Sequence, residues 1–221
     1  MPNYSSGLKV NDYNPNTCQI CAFRQPQSTL PRLQATARRR SEPLLASGHY
    51  ILGKELDAFE DQFAAFLGLP EKRVVGCASG TDAIYLALLD AGVKTGDEIL
   101  VVAHTAVPTI CAIAKTGATP IFIDVCPDTL VMDPKDLEAK ITKNTKVIIP
   151  VHLYGQMVDM DAVMQVATKH KLVVLEDCAQ ATGATYKGKA AGTIGDYGAF
   201  SFYPSKNLGA FWRWWRGIVQ L

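Results

Sequence analysis

The sequence has almost no net charge, with 22 basic residues against 21 acidic ones for a formal charge of +1. Without a basic excess it lacks the electrostatic footprint of a nucleic-acid binder. No uninterrupted apolar run approaches the roughly 20 residues that a membrane helix needs. The opening MPNYSSGLKVNDYNPN has no basic stretch leading into an apolar one, so no secretory leader is expected and residence is expected to be cytoplasmic. Internal repeats and low-complexity segments are also missing. What is present is ordinary for a globular protein: 221 residues, 48% hydrophobic, 19% charged and 9% aromatic. That composition excludes intrinsic disorder for most of the chain and suffices for one sizeable core.

Six cysteines without a leader read as reduced thiols, not as a disulfide framework. Cys18 and Cys21 form a C-x-x-C pair, half of a tetrahedral zinc site, and no second pair or neighbouring histidine completes it, so no metal is expected. Cys77, Cys111, Cys126 and Cys178 lie in or beside apolar segments, as small buried side chains do.

Composition divides the chain into three. Residues 1–43 are rich in Asn, Gln, Ser, Pro and Arg, have no apolar period, and are expected to be irregular. Residues 44–210 alternate between helical and strand patterns. Residues 211–221, FWRWWRGIVQL, hold all three tryptophans and form an atypical tail. In the middle part Leu56, Phe59, Phe63, Phe66 and Leu67 recur at helical spacing, and Gly68 ends that helix. Then come the strand RVVGC, the helix DAIYLALLDAG, the strand EILVVA and a helix from about Val107 to Lys115. TPIFIDV, a helix near Leu137, KVIIPVHLYG, a helix from about Met160 to His170, KLVVLED and a last strand GAFSFY complete the pattern. Short apolar strands alternating with helices predict an α/β fold of three layers, a mostly parallel sheet with helices on both faces. In such folds ligands bind beyond the carboxyl ends of the strands.

The polar clusters fall at those ends. Ser79-Gly80-Thr81 joins a strand to a helix, where it serves either as an N-cap or as a cradle of amides and a Thr81 hydroxyl for a phosphate. Glu176 and Asp177 close the strand KLVVL on opposite sides, so at most one faces a pocket. A carboxylate there could bind a metal, act as a base, pair with a cationic heterocycle, or simply cap the next turn. Lys206 follows GAFSFY, and Pro204 holds it close to the sheet. Desolvation among aromatic neighbours favours its free, nucleophilic amine, although a lysine taken singly is most often a surface residue. His152 reads as a satisfied histidine at a strand end. A phosphate cradle, an acid at one strand end and a lysine at another are together the three anchors of a pyridoxal 5'-phosphate (PLP) site.

From about Leu52 to Ala210 the sequence resembles the DegT/DnrJ/StrS-type sugar-nucleotide aminotransferases of PLP fold type I. The resemblance is carried by GHYILGKELDAFEDQFAAFLG, ASGTDAIYLALLDAG, GDEILV, TPIFIDV, IPVHLYG, LEDCAQATGATYKGKAAGTIGD and FSFYPSKNLGA. It implies an enzyme that moves an amino group from an amino acid, L-glutamate above all, to a keto-sugar nucleotide. HTAVPTICAI with PVHLYGQ is most similar to members acting on dTDP-3-keto-6-deoxyhexoses. By resemblance Lys206 is the catalytic lysine that binds PLP and moves the proton, Asp177 pairs with the ring nitrogen and Gln180 approaches the phenolic oxygen. Gly80, Thr81 and Ser201 hold the phosphate, and His104 stacks on the ring. A homodimer is implied as well, and neither nucleic acid nor a membrane is an expected partner.

The ends depart from the family pattern. After NLGA the family continues through a glycine-rich segment into a C-terminal small domain, whereas here FWRWWRGIVQL follows. On that pattern the small domain is missing, and the sequence reads as a truncated member with shifted-frame ends, either still able to transfer an amino group or an inactive copy. Two alternatives stand beside the aminotransferase: a PLP-dependent dehydratase of the same fold, which Lys206 argues against because that branch has histidine there, and a non-catalytic PLP-binding remnant or regulatory protein.

Overall fold

The computed structural model describes residues 41–49, 51–70 and 73–210, together with the backbone of 217–220. Nearly all of the opening segment expected to be irregular, with its C-x-x-C pair, and the three tryptophans lie outside the described residues. The chain divides into two compact units, Met1–Glu55 and Leu56–Leu221. In the first, helix α1 is described over 41–47 and ends at Gly48, whose φ of +67° is a left-handed conformation that costs glycine little. Helix α2 (Lys54–Phe66) starts as that unit ends.

The second unit is built on strands β1 (Val74–Cys77), β2 (Glu98–Val102), β3 (Thr119–Ile123), β4 (Thr145–Ile149) and β5 (Val173–Asp177), followed by a hairpin of β6 (Thr185–Tyr186) and β7 (Lys189–Ala190), then β8 (Tyr197–Ser201) and β9 (Gly217–Gln220). All but the hairpin join one sheet in the order β1-β9-β8-β5-β4-β2-β3. The five strands from β3 to β8 are parallel, and β9 runs antiparallel to both β8 and β1. Helices α3 (Gly80–Asp90), α4 (Val107–Thr116), α5 (Pro134–Ala139) and α6 (Met160–His170) fall between the strands, as the alternation predicts. Their starts follow local chemistry. Ser79, Asp133 and Asp159 accept backbone N–H groups as N-caps, and α4 begins with Pro108 in its first turn.

The unbroken apolar strand sequences reflect burial on both faces. One cluster packs β2, β4 and β5 against α3, α4 and α6. A second gathers Phe63 and Leu67 of the α2 region with Phe200 and Phe202. The Phe63 ring meets Phe200 edge-on at 5.1 Å and Phe202 at 5.4 Å, pairs worth about 0.5–1.5 kcal/mol beyond their area. Neighbours on β8 thus serve different clusters, Ala199 the first and Phe200 the second. Two expectations are corrected: Phe66 is 57% exposed, because α2 buries Phe63 and Ala64 instead, and Cys111 is exposed because its neighbours Ala112 and Ile113 face the core instead.

Crowding on β8 gives a direct test. A Cβ added at Gly198 would stand 2.4 Å from the Gly192 carbonyl oxygen, a backbone atom with little room to yield. Gly198→Ala is expected to destabilise the fold by about 1–3 kcal/mol, seen as a lower urea midpoint. An unchanged midpoint would contradict this packing.

Candidate active site

The two carboxylates that close β5 go to opposite sides, as strand geometry demands. Asp177 faces a cavity yet is only 4% exposed. Its Oδ2 accepts the Thr109 hydroxyl at 2.8 Å and its Oδ1 the Ala179 amide at 3.1 Å. Its backbone is fixed as well: the Asp177 N–H donates to the Pro150 carbonyl, and its own carbonyl accepts the His152 N–H. Among the described residues no cationic side chain pairs with it.

Glu176, fully buried, serves the other side. Its oxygens accept the amides of Gly192, Ile194 and Gly195 at 2.7–3.0 Å and meet His152 Nε2 at 2.9 Å. Burial pushes its carboxyl up, but the His152 hydrogen bond and these amides outweigh burial and leave it below the usual glutamate range. Val158 N–H donates to His152 Nδ1, so the imidazole proton lies on Nε2 and goes to Glu176. His152 is the satisfied strand-end histidine its sequence setting suggests. Cys178 lies close to both, with candidate ligand atoms of the three within 4.8 Å. Both nitrogens of His152 and both oxygens of Glu176 are already hydrogen-bonded, and burial pushes the Cys178 thiol well up, so this trio is poorly suited to a metal.

At the start of α3, Ser79 has the extended backbone of an N-cap, and its Oγ accepts the Asp82 amide at 3.1 Å. The cap reading is therefore realised, and it leaves the other amides of the first turn for a ligand. Gly80 has a further reason for its identity. A Cβ there would lie 2.9 Å from Ser201 Cβ, so the glycine lets α3 begin against the end of β8. That close approach puts Ser201, 8% exposed, beside the amides of the helix start. The Thr81 hydroxyl has no hydrogen bond to another described residue.

Lys206 sits in a tight loop beyond β8. Its N–H donates to the Tyr203 carbonyl at 2.8 Å, with Pro204 inside the turn, and Ala210 N–H returns to the Phe202 carbonyl. The half-buried Lys206 amine makes no ion pair or hydrogen bond with the described residues. Gln180 Oε1 accepts the Tyr154 N–H at 3.0 Å, which leaves its NH2 as a donor.

Gly80, Thr81, Asp177, Gln180, Ser201 and Lys206 all line one cavity of about 400 Å³. His104 is not brought in with them. It is exposed, and its ring meets that of Tyr154 edge-on at 6.2 Å. Thr109 is a lining residue that sequence reasoning missed. Its signal in the sequence is a hydroxyl four residues after that of Thr105, at the start of a mostly apolar helix, and it is buried to 2% exposure.

The cavity's chemistry fits PLP. Among the described residues, a buried carboxylate without a cationic partner suits a protonated ring nitrogen, a lysine amine without an ion pair or hydrogen bond suits an aldehyde, and a helix start beside the Thr81 and Ser201 hydroxyls suits a phosphate.

Comparison with known proteins gives concordant results. The model of the DegT/DnrJ/EryC1/StrS aminotransferase family matches residues 31–211. A "pleiotropic regulatory protein" of Geobacillus stearothermophilus is 45% identical over 180 residues, covering 81% of this chain and 48% of that protein. The dTDP-3-amino-3,4,6-trideoxy-alpha-D-glucose transaminase of Streptomyces venezuelae is 45% identical over 189 residues, covering 86% of this chain and 49% of that protein. The crystal structure of S. venezuelae DesV in complex with a ketimine intermediate superposes with a TM-score of 0.82 at 41% identity, covering 87% of this chain and 51% of that one. The chain thus spans about half the length of the curated relatives it matches. With a matching family model over most of its length and a fold shared with a solved relative, this chain belongs to the DegT/DnrJ/EryC1/StrS aminotransferase family.

Proposed function

We propose that the cavity binds PLP and serves transfer of an amino group from an amino acid, L-glutamate by preference, to a keto-deoxysugar nucleotide such as a dTDP-3-keto-6-deoxyhexose. One observation carries this reading: the buried Asp177 carboxylate lines the same cavity as the Lys206 amine, and among the described residues neither has an ion-pair partner. When bound, PLP supplies an electron sink that makes exchange of an amino group between two carbon skeletons feasible.

The chain's residues divide the rest of the work. Lys206 Nζ would hold the group and, as a free amine, would take up and return a proton. The Asp177 carboxylate accepts the ring N–H and keeps it protonated. The amides at the start of α3, with the hydroxyls of Thr81 and Ser201, take the phosphate charge. The Gln180 NH2 donates toward the phenolic oxygen. For His104 the reading requires the imidazole to turn from Tyr154 onto the ring. A homodimer and a cytoplasmic setting are part of the proposal.

A second reading, a PLP-binding protein with a regulatory role and no turnover, is favoured by the name of the Geobacillus relative. One assay separates the two. Loaded with PLP and mixed with L-glutamate, the chain is expected to release 2-oxoglutarate in stoichiometric amount, and further release should follow when the keto-sugar nucleotide is added. PLP uptake without release of any 2-oxo acid would favour the regulatory reading, and no uptake would overturn both.

A further inference from the structure

We propose that Thr109 is the positioning residue for Asp177, holding its carboxylate so that an oxygen with a free lone pair faces the ring nitrogen of the cofactor. The proposal rests on the PLP reading of the cavity. The Asp177 backbone is locked between the extension of β4 and β8, so the remaining freedom is rotation of the side chain, whose terminal torsion has only broad preferences. Two hydrogen bonds limit that rotation. The Ala179 amide lies two residues along the chain and travels with the loop. Thr109, 68 residues away on α4, is the contact that references the carboxylate to the rest of the fold.

The direction of the Thr109 hydroxyl is itself determined. Thr105 Oγ1 donates to Thr109 Oγ1 at 3.1 Å, and Thr109 in turn donates to Asp177 Oδ2 at 2.8 Å. A hydroxyl has one proton to give, and at 2% exposure Thr109 has almost no access to solvent. Its proton therefore goes to the aspartate in a charge-assisted bond. A carboxylate offers about four lone-pair sites. Among the described residues, the relay and the Ala179 amide occupy one site on each oxygen, which leaves one on each for a cationic N–H.

Titration of the whole chain with PLP, followed by absorbance, tests this. Thr109→Val keeps the side chain's shape and removes its hydroxyl. It is expected to weaken PLP affinity about ten-fold and to move the visible band of bound PLP. Thr109→Ser keeps the hydroxyl and is expected to restore both, with affinity within about three-fold of the parent. Thr105→Val, which removes only the outer hydroxyl, is expected to weaken affinity about two- to three-fold and decides the matter if valine at 109 prevents folding. Parental affinity in Thr109→Val, or a serine variant as weak as the valine one, would overturn the proposal while leaving the PLP site intact. Failure of the parent chain to bind PLP would overturn the site reading, and this proposal with it.

Discussion

Lys206→Ala is expected to leave a folded chain that takes up no PLP covalently and releases 2-oxoglutarate at least about 10²–10⁴-fold more slowly, the span that loss of one positioned acid–base group gives. The fold should hardly notice, because the Lys206 amine has no hydrogen bond or ion pair with the described residues. The loop around it is closed by backbone bonds, Lys206 to Tyr203 and Ala210 to Phe202, which alanine retains. The expected signature is therefore an unchanged melting midpoint with lost chemistry. Turnover within a few-fold of the parent would contradict the assigned role, and a large fall in midpoint would show that the side chain supports the fold.

Glu176→Leu is expected to give the opposite signature, a loss of about 3–5 kcal/mol in stability. The change strands the amides of Gly192, Ile194 and Gly195 and the Nε2–H of His152, all of which now end on one buried carboxylate. Its titration adds a pH dependence of definite sign. The folded carboxyl lies below its ordinary value of 4.5, so the stabilisation is complete above the unfolded value and is lost as pH falls through the folded one. Denaturation midpoints measured through the acid range should fall for the parent, and the fall should be shallower in Glu176→Gln. Equal slopes would mean that other carboxylates govern acid unfolding.

Much of this arrangement was legible in the residues. KLVVLED showed an apolar strand ending in two acids, and the two-residue period required them to part company. Asp177 does face the cavity, and Glu176 does turn to the 192–195 loop. Pro204 before Lys206 announced a held lysine, and the turn closed by Tyr203 bears that out. What stayed hidden depends on contacts between distant segments. Thr109 gains its importance from a carboxylate 68 residues away, and no local period reveals that. Strand β9 is four residues long and owes its place to ladders with β1 and β8, whereas GAFSFY looked like the last strand. Gly80 looked like room for an anion, but its missing side chain also makes room for Ser201. His104 was assigned by family position, and the fold leaves its ring beside Tyr154.

The most direct test is to mix the chain with PLP, reduce it with borohydride, digest it and map the added mass. The account predicts one modified peptide, the one carrying Lys206, with the modification competed away by excess inorganic phosphate. Label spread over exposed lysines, or none on that peptide, would contradict it.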